Sequence, residues 1–93
     1  MASPTAQPAP PGGYHQRYRA RRDAIEAGLA VAARTTPREL PALYAGIATE
    51  ALAGLAEDPS EPLLLNYGGV ALYELGSLDA AEELFRAAAQ LDP

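Results

Sequence analysis

The chain predicts an all-α fold, and three of its features do so. Ala, Leu, Glu and Arg dominate, while Ile and Val together appear four times, a balance that favours helix over strand. Apolar residues recur every three or four positions through four successive stretches, the period of a helical stripe. Between those stretches stand clusters of Pro, Gly, Ser and Asp that end helices and start turns. With 93 residues, the expectation is one small domain of about four helices joined by short connections.

Each element follows from its residues. Residues 1–13, MASPTAQPAPPGG, have no apolar period and are expected to form a disordered Pro/Ala/Gly tail ahead of a helical domain at 14–93. Tyr14, Tyr18, Ile25, Leu29 and Ala32 or Ala33 share one stripe and predict a first helix over about 14–34. Thr36 and Glu39 have the spacing of a capping box, with Pro37 at the first helical position. Pro41 pushes the proper start of this second helix towards Leu40. Leu40, Leu43, Tyr44, Ile47, Ala51 and Leu55 then carry it to about Glu57, where Asp58-Pro59-Ser60-Glu61-Pro62 ends it. A third helix from about Leu63 to Leu75 buries Leu64, Leu65, Gly68, Ala71, Leu72 and Leu75. Gly76 suits the left-handed position after its last turn. Ser77 or Asp79 caps the fourth helix, Asp79 and Glu82 forming a second capping box. Its buried face is expected to be Ala81, Leu84, Phe85, Ala88 and Leu91.

Composition narrows the function. One Phe, no Trp and no Cys mean a thin core with no disulfide and no thiolate zinc site to reinforce it. His15 is the sole histidine, so a metal site would have to be built from carboxylates, and none is expected. Ser3, Ser60 and Ser77 are turn residues with no base near them in sequence. Glu57 with Asp58, Asp79, and Glu82 with Glu83 read as helix-capping and solvated acids in preference to a catalytic carboxylate pair. No enzymatic activity and no cofactor are expected. The longest low-polarity run, Ala24 to Ala33, is too short to span a bilayer. The N-terminus lacks the basic start and apolar core of a secretory signal. A cytoplasmic protein is the expectation, and the Ala/Arg/Pro-rich, lysine-free composition is the one expected of a GC-rich bacterial genome.

Charge is unevenly placed. Residues 1–22 carry four arginines and no acid, +4, whereas residues 23–93 carry three arginines against twelve acids, −9, which together make the net −5. The run Tyr14-His15-Gln16-Arg17-Tyr18-Arg19-Ala20-Arg21-Arg22 interleaves arginine with aromatic residues, as phosphate- and base-binding segments do. The acidic isoelectric point of about 4.6 sets a field that repels nucleic acid, so that reading is disfavoured. Arg17 and Arg21 are expected instead to contact the acidic body or a protein partner.

The stretch NYGGVALYELGSLDAAEELFRAAAQLDP closes the chain. Gly68-Gly69 lies inside a helical pattern and lacks the spacing and the Lys-Ser/Thr of a phosphate loop. The expectation is that these glycines let two helix backbones approach closely. Leu65, Gly69, Leu72, Ala81, Phe85, Ala88 and Pro93 fall at the spacing of the tetratricopeptide pattern W-x2-L-G-x2-Y…A-x3-F…P, and residues 62–93 resemble one such repeat. Leu65 stands for the usual Trp and Leu72 for the usual Tyr. Gly68 for the usual Leu is a departure that predicts a looser helix. Residues 14–59 look like a divergent helix pair stacked ahead of it.

The resemblance implies a tetratricopeptide-like series of antiparallel helix pairs, the start of an α-solenoid, acting as a non-enzymatic scaffold that binds a peptide or partner helix. Carried onto these positions, its groove residues are Leu63, Asn66, Tyr67, Val70, Tyr73 and Glu74. It also implies that Leu72, Phe85 and Leu91 meet further repeats of a longer polypeptide or another chain, a homo-oligomer included. The alternative is the N-terminal regulatory part of a larger bacterial enzyme such as a glycosyltransferase, a class that often carries these repeats.

Overall fold

The computed structural model describes residues 12–91 as four α-helices: α1 (Gly12–Ala32), α2 (Leu40–Glu57), α3 (Pro62–Glu74) and α4 (Leu78–Leu91). The fold class is all-α, as expected. The expected tail falls outside the described residues except for Gly12 and Gly13, which form the first turn of α1. That helix also stops two residues early. The Arg34 N–H turns to the Val31 carbonyl (2.9 Å) and the Thr35 N–H to that of Ala32 (3.1 Å), the tightened last turn of a fraying helix end.

Helix α2 begins at Leu40, with Pro41 in its first turn, where a missing N–H costs nothing. The expected capping box before it does not form. Glu39 flanks the helix with helical dihedrals and no side-chain cap; the Thr36 carbonyl accepts from the N–H groups of Glu39 (2.9 Å) and Leu40 (3.1 Å) instead. Backbone does the work assigned to side chains. Pro62 opens α3, and the Glu61 carboxylate accepts from the Leu63 N–H at 3.3 Å. Gly76, at φ +84°, ends α3 as expected. The Ser77 N–H reaches the Leu72 carbonyl (2.9 Å) and the Gly76 N–H that of Tyr73 (3.0 Å), the two bonds of a Schellman motif. The second capping box is also absent. Leu78 already lies in α4, and the Glu82 carboxylate accepts from Arg86 at 2.7 Å.

Each helix packs antiparallel on the next. Tyr14 meets Asp58 and Arg21 meets Glu50 between α1 and α2, Gly54 faces Leu64 and Gly68 faces Ala51 between α2 and α3, and Gly69 lies under Phe85 between α3 and α4. The core runs through Ile25, Ile47, Ala51, Leu55, Leu64 and Leu65. Among the described residues, only Ile25 and Leu64 of the large side chains are fully enclosed, so the core is as thin as the composition predicts. Small residues compensate by closing the gaps. A Cβ on Gly54 would stand 2.5 Å from Leu64 Cδ1, and one on Gly69 would stand 2.5 Å from Phe85 Cε1. Both glycines receive side chains; at Gly69 close approach of two backbones was expected instead. Gly68 is likewise filled by Leu84 and Ala51, and α3 runs through it without a break.

Two members of the expected α4 face lie outside the core. Ala81 and Ala88 are buried, but Phe85 is 37% exposed and Leu91 46% exposed. Phe85 covers Gly69 from the rim of the core.

Candidate functional site

The arginine-rich turns of α1 pack along the end of α2. Arg17 Nε donates to Glu57 Oε2 at 3.1 Å, and Arg21 Nη1 to Glu50 Oε1 at 3.2 Å. Antiparallel packing sets Arg17 beside Glu57, the last residue of α2, and Arg21 beside Glu50 about two turns earlier. Arg22 pairs with Asp23 at 3.3 Å and lies 5.8 Å from the Tyr18 ring centre. The Asp23 carboxylate raises its pKa. Arg17 and Arg21, two of the predicted contact residues, are thus engaged within the chain.

Tyrosines tie the helices together through carboxylates. The Tyr14 hydroxyl donates to Asp58 Oδ2 at 2.9 Å. That bond, helped by the Ser60 N–H, holds the Asp58 carboxyl below its ordinary pKa, and the same bond raises the Tyr14 phenol. The Tyr67 hydroxyl donates to Glu26 Oε2 at 2.6 Å, raising the Tyr67 phenol and linking α3 to α1. Burial, then the charge of Glu61, raises Tyr18.

The six predicted groove residues of α3 do not form one uniform surface. At 3.6 residues per turn, Leu63, Tyr67, Val70 and Glu74 fall within about 60° of one another, on the side that the Tyr67–Glu26 bond turns towards α1. Asn66 and Tyr73 sit at the edge of this arc and line separate grooves between α3 and α4, Asn66 with Pro62 and Ala89 and Tyr73 with Leu78 and Ala81. Leu63, Asn66, Tyr73 and Glu74 are exposed; Tyr67 and Val70 are half-buried. Residue types on this face offer aromatic and aliphatic contact with one carboxylate at its end.

Sequence reasoning missed a second feature. Tyr73, Leu78, Ala81, Glu82 and Phe85 line a groove of about 310 Å³ between α3 and α4, with Tyr73 58% and Leu78 57% exposed. The i, i+7 spacing of Leu78 and Phe85 carried a signal for it. Among the described residues no group of three His, Cys, Asp or Glu side chains converges on a metal-sized site, and no helix is long and apolar enough to cross a membrane.

No protein family, curated protein or solved structure matches this chain.

Proposed function

We propose that the chain is a non-enzymatic protein-interaction module that binds a peptide or partner helix through the α3 face. The carrying observation is that α3 holds Leu63 and Tyr73 exposed while its opposite side is locked into the core by Leu64, Leu65 and Ala71. Exposed aromatic and aliphatic side chains on an anchored helix supply contact area at low entropic cost, as binding hot spots do. Tyr67, fixed by its bond to Glu26, adds a pre-oriented ring. The resemblance of residues 62–93 to a tetratricopeptide repeat supports the same reading. A partner with a short apolar stripe suits this face, since Glu74 is the one charge among the six residues.

The test is selection of a displayed random-peptide library on the full chain, followed by titration of the enriched peptides against wild type and a Leu63→Ala/Tyr73→Ala double variant. The expected result is a convergent apolar motif whose affinity falls at least about tenfold in the double variant, about 1.4 kcal/mol. Equal binding by both proteins, or no convergent motif, overturns the assignment.

A further inference from the structure

Among the described residues, polar and apolar contacts divide between the helices. Four side-chain hydrogen bonds join distant parts of the chain, and every one ties α1 to the rest. Tyr14 donates to Asp58 (2.9 Å), Arg17 to Glu57 (3.1 Å) and Arg21 to Glu50 (3.2 Å), while Tyr67 of α3 donates to Glu26 (2.6 Å). The acceptor is a carboxylate each time. The other side-chain hydrogen bonds span four positions or fewer. Where α2, α3 and α4 meet one another the contacts are apolar: Leu64 fills the notch at Gly54, Leu84 and Ala51 close on Gly68, and Phe85 covers Gly69. Burial divides the same way. Of the ten buried apolar residues, α1 supplies Ile25 alone, although it is the longest helix at 21 residues.

Charge makes the hold on α1 conditional on pH. Residues 12–32 carry four arginines against Asp23 and Glu26, +2, and residues 40–91 carry eight acids against Arg86, −7. Helix and body therefore attract while the acids are ionised. Arginine stays charged and a phenol stays protonated in acid, so the carboxylates are the groups that change. Asp58 also accepts from the Ser60 N–H and hydroxyl, with Glu57 and Glu61 near its bond to Tyr14. Tyr18 and Arg22 lie near the bond of Tyr67 to Glu26. His15, edge-on to the Tyr14 ring at 5.5 Å, adds a cation to α1 in acid. With every carboxylate neutral the balances become +5 and +1, and attraction turns to repulsion.

We propose that α1 is an acid-released strap: with Glu26, Glu50, Glu57 and Asp58 protonated, it swings away as one unit on the connection at 33–39 while α2, α3 and α4 stay packed. Partial opening of this kind takes the element with the fewest buried contacts first. The strap covers Ile47 with Gly28 and lays Arg21 along Gly54 beside Leu64, so release uncovers an apolar seat that neutral pH keeps closed. The inference does not rest on the peptide-binding reading.

An acid titration of the full chain tests it, with methyl NMR of Ile25 following the strap and of Leu65 and Ala88 following the body. Two transitions are expected. The first moves Ile25, removes about a third of the helical circular dichroism, which is α1's share of the helix, and brings on binding of an apolar dye. The second, at lower pH, moves Leu65 and Ala88 together. One transition in which all three move at once overturns the proposal, as does loss of Leu65 and Ala88 before Ile25. A Glu26→Gln/Glu50→Gln/Glu57→Gln/Asp58→Asn variant reproduces the protonated latch at neutral pH. Its α1 amides should exchange at least about thirtyfold faster than those of the wild type, a little over twofold for each exposed contact, with the Leu65 and Ala88 signals still native. Exchange within about threefold of the wild type, or loss of the body signals, overturns it. So does an equal effect from Glu82→Gln, whose bond to Arg86 lies inside α4.

Discussion

Two glycines of α2 provide a matched test of how the helix pairs stack. Gly46 and Gly54 belong to the same helix, and Gly→Ala at either gains about 1 kcal/mol of helix propensity. At Gly46 the new methyl meets nothing within 4 Å, so Gly46→Ala is expected to stabilise by about that amount. At Gly54 it would stand 2.5 Å from Leu64 Cδ1 and 2.7 Å from Arg21 Cδ. Arg21 is a flexible chain that moves aside cheaply. Leu64 is 1% exposed and has no free space to enter, so overpacking costs about 1–3 kcal/mol. Gly54→Ala is therefore neutral at best and about 2 kcal/mol destabilising at worst. The two variants should differ by about 1–3 kcal/mol, a melting-temperature gap of at least about 4 °C for a domain of this size.

Thermal and urea melts followed by helical circular dichroism measure the gap, and a double-mutant cycle with Leu64→Ala assigns its cause. Truncating Leu64 alone costs about 2–5 kcal/mol. In the double variant the clash has gone, so the two costs should fail to add, by more than about 0.5 kcal/mol. Gly54→Ala as stabilising as Gly46→Ala, with additive energies in the cycle, would refute the approach of α2 to α3 at this point.

Phe85→Ala is expected to cost about 2–3 kcal/mol, less than the roughly 3–5 of a fully buried ring, because the side chain is 37% exposed; urea melts decide between the two ranges. Gly76→Ala places a Cβ at φ +84° with no steric neighbour, so it should destabilise by about 1–2 kcal/mol through backbone strain alone, and Gly76→Asn by less. Asp58 has a depressed carboxyl pKa because Tyr14 and then Ser60 donate to it, so its contribution is present above the unfolded-state value and is lost as pH falls through the lower folded one. Tyr14→Phe should raise the Asp58 pKa towards its ordinary value in a carboxyl NMR titration, and the stability gap between variant and wild type should close as the pH is lowered. An unchanged Asp58 titration would show that Tyr14 does not donate to it.

Helix existence and order were legible in the sequence because period and punctuation agree from Leu40 to Leu91. The start of α2 could be read to the residue, since Pro41 tolerates only a first-turn place. Gly76 could be read because few residues accept positive φ. Capping was misread at Thr36 and Asp79 because spacing identifies side chains able to cap and does not tell whether backbone groups already satisfy the helix end. The direction of Phe85 on its helix was legible and its depth was not, because depth depends on what the neighbouring helix offers; Gly69 offers a flat seat at the rim. Tyr14 with Asp58 and Tyr67 with Glu26 are separated by 44 and 41 positions. Any of twelve acids would have served either tyrosine as well on sequence alone.

The division of charge along the chain acquires its meaning only in the fold. Four arginines stand between positions 17 and 22 of α1, where they repel one another and α1 taken alone sets only Asp23 and Glu26 beside them. Antiparallel packing brings the last turns of α2, with their partial negative charge and with Glu50 and Glu57, to the same place. Exposed pairs of this kind contribute at most about 1 kcal/mol each, too little to drive folding. They do discriminate among registers: Arg17 and Arg21 reach Glu57 and Glu50 together only when α2 runs back along α1. The same arginines are then poorly placed to grip a nucleic-acid backbone, because a phosphate would have to displace Glu57 and Glu50 before gaining contact.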